Sequence, residues 1–149
     1  IELGVNGNIT EKWAVSAGYT YLDSEIVDAG FVKDTSGKYV PSPTNGNQIQ
    51  NVAKNSATLW TTYQVLPALT LGAGAVAMDK VYGDATNTKW VPGYVRYDAM
   101  ARYNVDKNVD LQLNVNNLSD KRYFTKAYSS HYATEAEGRS AVLSINFKY

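Results

Sequence analysis

Val109-Asp110-Leu111-Gln112-Leu113-Asn114-Val115-Asn116 alternates apolar and polar side chains without a break. A strand turns successive side chains to opposite faces, so this stretch reads as a β-strand with one greasy face and one wet face. The same period of two recurs on both sides of it. Seven segments carry it, roughly 1–9, 13–26, 55–65, 69–81, 93–103, 109–118 and 138–149. No window holds a helical stripe, and no apolar run approaches the ~20 residues a membrane helix needs. The expectation is an all-β, antiparallel chain.

The connections between these segments alternate in length. Short ones fall at Thr10-Glu11-Lys12, Leu66-Pro67-Ala68 and Asn104-Val105-Asp106-Lys107-Asn108. Long ones fall at about 27–54, 82–92 and 119–137, the first rich in Gly and Pro. Tight turns on one side and long loops on the other are the habit of outer-membrane barrels. One strand face carries no charge, as in Trp13, Val15, Ala17, Tyr19 and Tyr21, or Ala141, Leu143, Ile145 and Phe147. The other is polar or small, and includes Arg96, Asp98, Arg102, Asp110, Gln112 and Ser144. Trp60, Val76, Met100 and Val142 are its large apolar exceptions. Gly72 and Gly74 on that face are read as leaving room for whatever fills a barrel.

A soluble β-sandwich with the apolar face inward is the bland alternative. Two features oppose it. The segments are near the ten residues that cross a bilayer at a tilt, whereas ordinary strands run about five or six. Aromatics also sit on the apolar face at two levels: Trp13, Tyr63, Tyr103 and Tyr149 at the short-turn side, and Tyr19, Tyr21 and Tyr97 toward the long loops. Interfacial girdles sort aromatics this way. Tyr outnumbers Phe 12 to 3 in the 149 residues.

Composition removes several function classes. Lys and Arg number 14 and Asp and Glu 14, so no basic face is available for nucleic acid. There is no Cys and only one His, which excludes disulfide frameworks, thiolate metal sites and paired-His chemistry. Ser129-Ser130-His131 has no identifiable acid partner, and no carboxylate pair is placed for acid–base work. The chain is not expected to be an enzyme, and no catalytic or metal-binding residue is assigned.

Three segments carry more than a pattern. Trp90-Val91-Pro92-Gly93-Tyr94-Val95-Arg96-Tyr97-Asp98-Ala99 opens one strand. Leu113-Asn114-Val115-Asn116-Asn117-Leu118-Ser119-Asp120-Lys121-Arg122-Tyr123-Phe124 closes another, and Gly138-Arg139-Ser140-Ala141 leads to Phe147-Lys148-Tyr149. In order and spacing these resemble the closing strands of TonB-dependent siderophore receptors. The loop Asp84-Ala85-Thr86-Asn87-Thr88-Lys89-Trp90 is most similar to the catecholate branch. The resemblance implies a plugged barrel of about 22 strands. This chain would supply about the last seven as the C-terminal portion (1–149), without the plug, the TonB-contacting segment or the earlier strands. Seven alone do not give the even number that closes such a barrel.

The implied function is import of a ferric siderophore across the outer membrane of a Gram-negative bacterium, energised through TonB. The implied partners are the siderophore, TonB by way of the plug, outer-membrane lipid and lipopolysaccharide, and the outer-membrane assembly machinery. No cofactor is implied beyond the ferric siderophore as transported ligand. The aromatic end at Phe147 and Tyr149 resembles the signal that the assembly machinery reads. A passive porin-like channel is the alternative within membranes. Loop residues Trp90, Tyr128, His131 and Tyr132 offer aromatic surface with hydrogen-bonding tips for a catechol-bearing chelate. Arg96 is open to two readings: attraction of the anionic chelate, or a structural ion pair with Asp98.

Overall fold

A computed structural model describes residues 1–129 and 132–148. His131 and Tyr149, singled out above, lie outside the described residues. In chain order the strands are β1 (Glu2–Thr10), β2 (Trp13–Tyr21), β3 (Phe31–Lys33), β4 (Tyr39–Pro41), β5 (Asn55–Leu66), β6 (Leu69–Met78) and β7 (Val81–Tyr82). There follow β8 (Trp90–Val91), β9 (Tyr94–Asn104), β10 (Val109–Asn116), β11 (Phe124–Ala127), β12 (Ala133–Glu135) and β13 (Ser140–Phe147). Seven form one antiparallel meander, ordered β1-β2-β5-β6-β9-β10-β13. The other six pair as three hairpins, one inside each long connection.

The register carries the alternation through the whole sheet. Trp13 faces Tyr63, Tyr63 faces Leu71, Leu71 faces Ala101, Ala101 faces Leu113 and Leu113 faces Leu143, giving one continuous apolar row. One position along, Thr70, Arg102, Gln112 and Ser144 form a polar row. Slipping any strand by one residue would exchange the two faces, so the two-sided pattern fixes the register.

Among the described residues, nothing packs on the apolar face. Leu3, Leu143 and Phe147 are 65%, 66% and 66% exposed. Among the described residues the buried hydrophobics are Val81, Val91, Tyr123 and Ala127, all outside the seven-stranded sheet. A soluble domain of this length buries well over half of its surface, including a core. No second sheet covers this one among the described residues, so the sandwich alternative is not what the chain forms. The exposed apolar wall instead suits lipid. Two polar groups on it are paired within the sheet: Trp13 Nε1 donates to Thr61 Oγ1 (2.8 Å), and Thr61 Oγ1 donates to Ala14 O (3.0 Å). Toward the long loops, Tyr19 Oη donates to Asn55 Oδ1 (2.6 Å), so this tyrosine turns its polar tip to the rim.

Two expectations need correction. The second and fourth segments end sooner than read, at Tyr21 and Met78, because the alternation breaks there on charged residues. Asp23 turns to Lys54 (3.0 Å), and Asp79 accepts from Asn55 Nδ2 (2.6 Å). The gap at Gly72 and Gly74 is already filled by this sheet itself. The indole of Trp60 lies across both, and a Cβ at Gly74 would stand 2.3 Å from Trp60 Cε3. The glycines make a flat bed for Trp60, which explains a large apolar side chain on the polar face.

The long connections are built rather than loose. In β7–β8 the connecting turn is held by Asp84, which accepts from Thr86 Oγ1 (2.7 Å), Thr88 Oγ1 and Lys89 N (3.1 Å). These bonds, that of Thr88 foremost, hold the Asp84 carboxyl at about 2, below its ordinary 3.8. The first long connection is stitched to this turn. Gln48 N donates to Asn87 Oδ1 (2.8 Å), Asn87 Nδ2 returns a bond to Gln48 O (2.9 Å), and Asn47 Nδ2 donates to Ala85 O (2.9 Å).

Two predictions follow from this architecture. Leu113→Arg or Leu143→Arg will cost about 2–4 kcal/mol where the side chain meets mid-membrane lipid, and Gln112→Arg or Ser144→Arg far less. Heat-modified electrophoretic mobility of the folded barrel measures the difference. Because the folded carboxyl of Asp84 lies below its unfolded value, its stabilisation is complete above pH 3.8 and is lost as pH falls toward about 2. Amide exchange at Lys89, corrected for its intrinsic pH dependence, will rise through that window. The same step will be missing in Asp84→Asn.

Candidate functional site

Two of the three hairpins, β7–β8 and β11–β12, meet at the long-loop end of the sheet around a small core, which Ala53 of the first long connection joins. Val81 pairs with Val91 across β7–β8, which turns both valines to one side and leaves Trp90 on the other. Val81, Val91 and Ala127 are buried together, with Ala53, Phe124 and Ala133 packed against them. Hydrophobic contact therefore joins residues from all three long connections or their margins. Two further features tighten the joint. Asn51, at φ 55°, donates its N–H to Tyr82 O (2.8 Å) and accepts at Oδ1 from Ala127 N (2.9 Å). Gly83 lies flat against the backbone of Ala127 and Tyr128.

This core supports a recess of about 220 Å³, lined by Lys89, Trp90, Tyr128, Tyr132, Val91 and Ala127, with Ala133 at its edge. Trp90 forms one wall and is 56% exposed. A second wall, from the β11–β12 hairpin, is Tyr128 stacked on Tyr132, their ring centroids 4.6 Å apart and their planes 26° apart. Tyr128 N donates to Tyr132 O (3.1 Å), which holds the stack at the tip of β11–β12. Aromatic faces, phenolic hydroxyls and one ammonium thus converge on a single opening. Such a surface can stack on a planar ring, hydrogen-bond its substituents and attract negative charge.

Of the residues named from sequence, the structure brings Trp90, Tyr128 and Tyr132 together. Arg96 stands elsewhere, on the polar face at the long-loop end of β9. It donates from Nε (3.1 Å) and Nη2 (2.8 Å) to Asp98 Oδ2, and from Nη1 to Tyr123 Oη (3.2 Å). Tyr123 is 6% exposed and packs on Tyr94 at 4.2 Å between centroids. It is neither a loop-surface aromatic nor a girdle residue. A second pair lies toward the short turns, where Arg102 meets Asp110 (2.9 Å) and Asn146 Nδ2 donates to the same carboxylate (2.9 Å).

The motif Asn117 to Tyr123 has a physical reason. Asn117 is 1% exposed and adopts φ 51°, a left-handed conformation that asparagine tolerates better than most side chains. Its N–H donates to Asp98 Oδ1 (2.8 Å), and its Nδ2 donates to Lys121 O (2.9 Å) and Glu137 O (3.3 Å). Its Oδ1 accepts from Lys121 N (2.9 Å). One side chain thereby ties both ends of the third long connection to the wall. Gly93 answers a similar need: a Cβ there would sit 2.5 Å from Met78 O. Sequence reasoning missed Asn51, Gly83 and Asn117 as site supports. For Asn117 the signal was its place in the Leu113–Phe124 motif; for Asn51 and Gly83 it was only the asparagines and glycines of the long loops.

Comparison with known proteins gives this geometry a family. The model of the TonB-dependent receptor-like β-barrel matches residues 1–118. A probable TonB-dependent siderophore receptor of Acinetobacter baumannii, PiuA, is 74% identical over 149 residues, covering 99% of this chain and 20% of that protein. Its crystal structure superposes with a TM-score of 0.89 over 99% of this chain and 21% of the receptor. The ferric-catecholate import receptor Fiu of Escherichia coli K12, in its closed form, is 30% identical, with a TM-score of 0.80 over 98% of this chain and 20% of that one. The probable TonB-dependent receptor BfrD of Bordetella pertussis is 42% identical over 158 residues, covering 100% of this chain and 20% of its own length. The chain thus spans about a fifth of each relative. The uncovered apolar wall is a wall of the outer membrane, and the chain belongs to the TonB-dependent receptor β-barrel family.

Proposed function

We propose that this chain forms barrel wall and external loops of a receptor that imports a ferric siderophore of catecholate type, energised through TonB. The observation that carries the reading is the recess at the long-loop end where Trp90, Tyr128, Tyr132 and Lys89 converge. Relatives at 30% identity include one named for ferrioxamine and one named for catecholate siderophores, so identity alone does not select the chelate. The chemistry of the recess favours the catecholate. Flat aromatic rings suit stacking on Trp90 and the tyrosine pair, and the negative charge of a ferric catecholate suits Lys89. The iron is already filled by its chelator, so no protein ligand to the metal is required. His131 remains part of the proposal by its place in the sequence between the two stacked tyrosines.

Arg96 enters this reading in a supporting role. Its charge is matched by Asp98, and through Tyr123 it braces the base of the third long connection. The plug, the TonB contact and the strands that complete an even-numbered barrel belong, in this proposal, to sequence outside the 149 residues. Binding sites on loops held by a rigid scaffold are the common arrangement, and here the scaffold is the hydrogen-bonded wall.

A combined Trp90→Ala and Tyr128→Ala substitution will lose ferric-catecholate uptake while the barrel stays at normal levels in the membrane. Each lost aromatic contact is worth about 0.5–1.5 kcal/mol, so the pair will weaken binding by about tenfold or more. Uptake of radiolabelled iron over a range of chelates is the measurement. Unchanged uptake for every catecholate would remove the recess from the binding site.

A further inference from the structure

The two walls of the recess belong to different hairpins, and something must set the distance between them. Trp90 stands on β8; Tyr128 and Tyr132 flank the tip of β11–β12. The hairpins share no ladder, since β7–β8 and β11–β12 are separate two-stranded sheets. They come into tight contact at Gly83, one residue beyond β7. A Cβ built there would lie 2.8 Å from Ala127 C, 2.8 Å from Tyr128 N and 2.9 Å from Ala127 Cβ. Two of these atoms are backbone and cannot swing aside. Ordinary carbon contacts need about 3.5–4.0 Å, so even alanine would push the hairpins apart by roughly 1 Å at this point.

Asn51 spans the same joint from a third direction. Its N–H is bonded to Tyr82 O on β7, the residue paired with Trp90. Its side-chain Oδ1 accepts from Ala127 N, the residue preceding Tyr128 and 76 positions away in sequence. One residue therefore grips the Trp90 hairpin by its backbone and the tyrosine hairpin by its side chain. The left-handed φ of 55° at Asn51 lets both bonds form at once.

We propose that Gly83 and Asn51 are positioning residues that together fix the spacing between the Trp90 wall and the Tyr128–Tyr132 wall, and so set which planar chelates the recess accepts. Gly83 defines how near the walls stand, and Asn51 holds them at that distance. The inference rests on the capture reading above.

The test uses the intact receptor in outer membranes and the iron(III) complex of 2,3-dihydroxybenzoate as probe. Four variants are compared with the parent for half-saturation and maximum rate of uptake: Gly83→Ala, Asn51→Gly, Asn51→Asp, and the combined Trp90→Ala and Tyr128→Ala. Asn51→Gly keeps the left-handed backbone and removes only the acceptor, so it reports independently if Gly83→Ala lowers the amount of folded barrel. Gly83→Ala and Asn51→Gly will each raise the half-saturating concentration about tenfold with the maximum rate per folded barrel unchanged. Asn51→Asp, which retains an acceptor for Ala127 N–H, will restore at least half of that loss. If the aromatic variant loses capture while Gly83→Ala and Asn51→Gly keep the parent half-saturation, the spacing role is overturned and the capture reading stands. A fall in maximum rate alone, or an Asn51→Asp as impaired as Asn51→Gly, also overturns the spacing role. Normal uptake by the aromatic variant overturns the capture reading and this inference with it.

Discussion

A backbone that crosses lipid must satisfy its own hydrogen bonds, because the bilayer offers no water to replace a missing partner. The rest of this chain depends on that constraint. It demands long antiparallel strands in continuous register, and the ladder from β1 to β13 provides them. It also frees the outer face from any need to pack on protein. Leucine, valine and alanine can stand exposed in rows because lipid is their solvent. Thr61 and the Trp13 indole on that face close their bonds within the sheet. The polar face can then hold paired charges, Arg96 with Asp98 and Arg102 with Asp110, where water or protein meets them.

A wall made this way has no interior of its own, so the loops above it must build one. They do so economically, with two valines, an alanine and their neighbours, and with asparagine side chains that bond across connections far apart in sequence. The left-handed asparagines at 51, 87 and 117 serve one purpose. Each turns the chain sharply and, with the same side chain, fastens it to another segment. The result is a rigid joint on which exposed aromatic side chains are held, and this is how a membrane scaffold becomes a binding surface.

Much of the wall was legible in the sequence and little of the joint. The period of two in Val109–Asn116 or Leu69–Ala77 is a local signal repeated over many residues, and it determines faces and register together. Val81 and Val91 form two-residue strands, too short for any periodicity to register. Asn51 and Ala127 meet only after the whole wall between them has formed, so no local pattern announces them. The burial of Tyr123 depends on Tyr94 and Arg96 of β9, so nothing in its own stretch of sequence marks it. Gly72 and Gly74 were read as open space because the indole that fills it comes from the neighbouring strand. Trp90, Tyr128 and Tyr132 were legible as chemistry, since aromatics with polar tips in long loops are unusual, but their shared recess was not.

The central claim is that one face of this sheet is bathed in lipid and the other is not. Spin labels placed singly at Leu111, Gln112, Leu113, Asn114, Val115 and Asn116 in the membrane-embedded receptor test it directly. The 149 residues contain no Cys of their own. Collision with dissolved oxygen, which concentrates in lipid, should be high at Leu111, Leu113 and Val115 and low at Gln112, Asn114 and Asn116. A water-confined nickel chelate should not collide with the first three. Equal oxygen collision at all six positions, or an alternation of the opposite phase, would contradict the account.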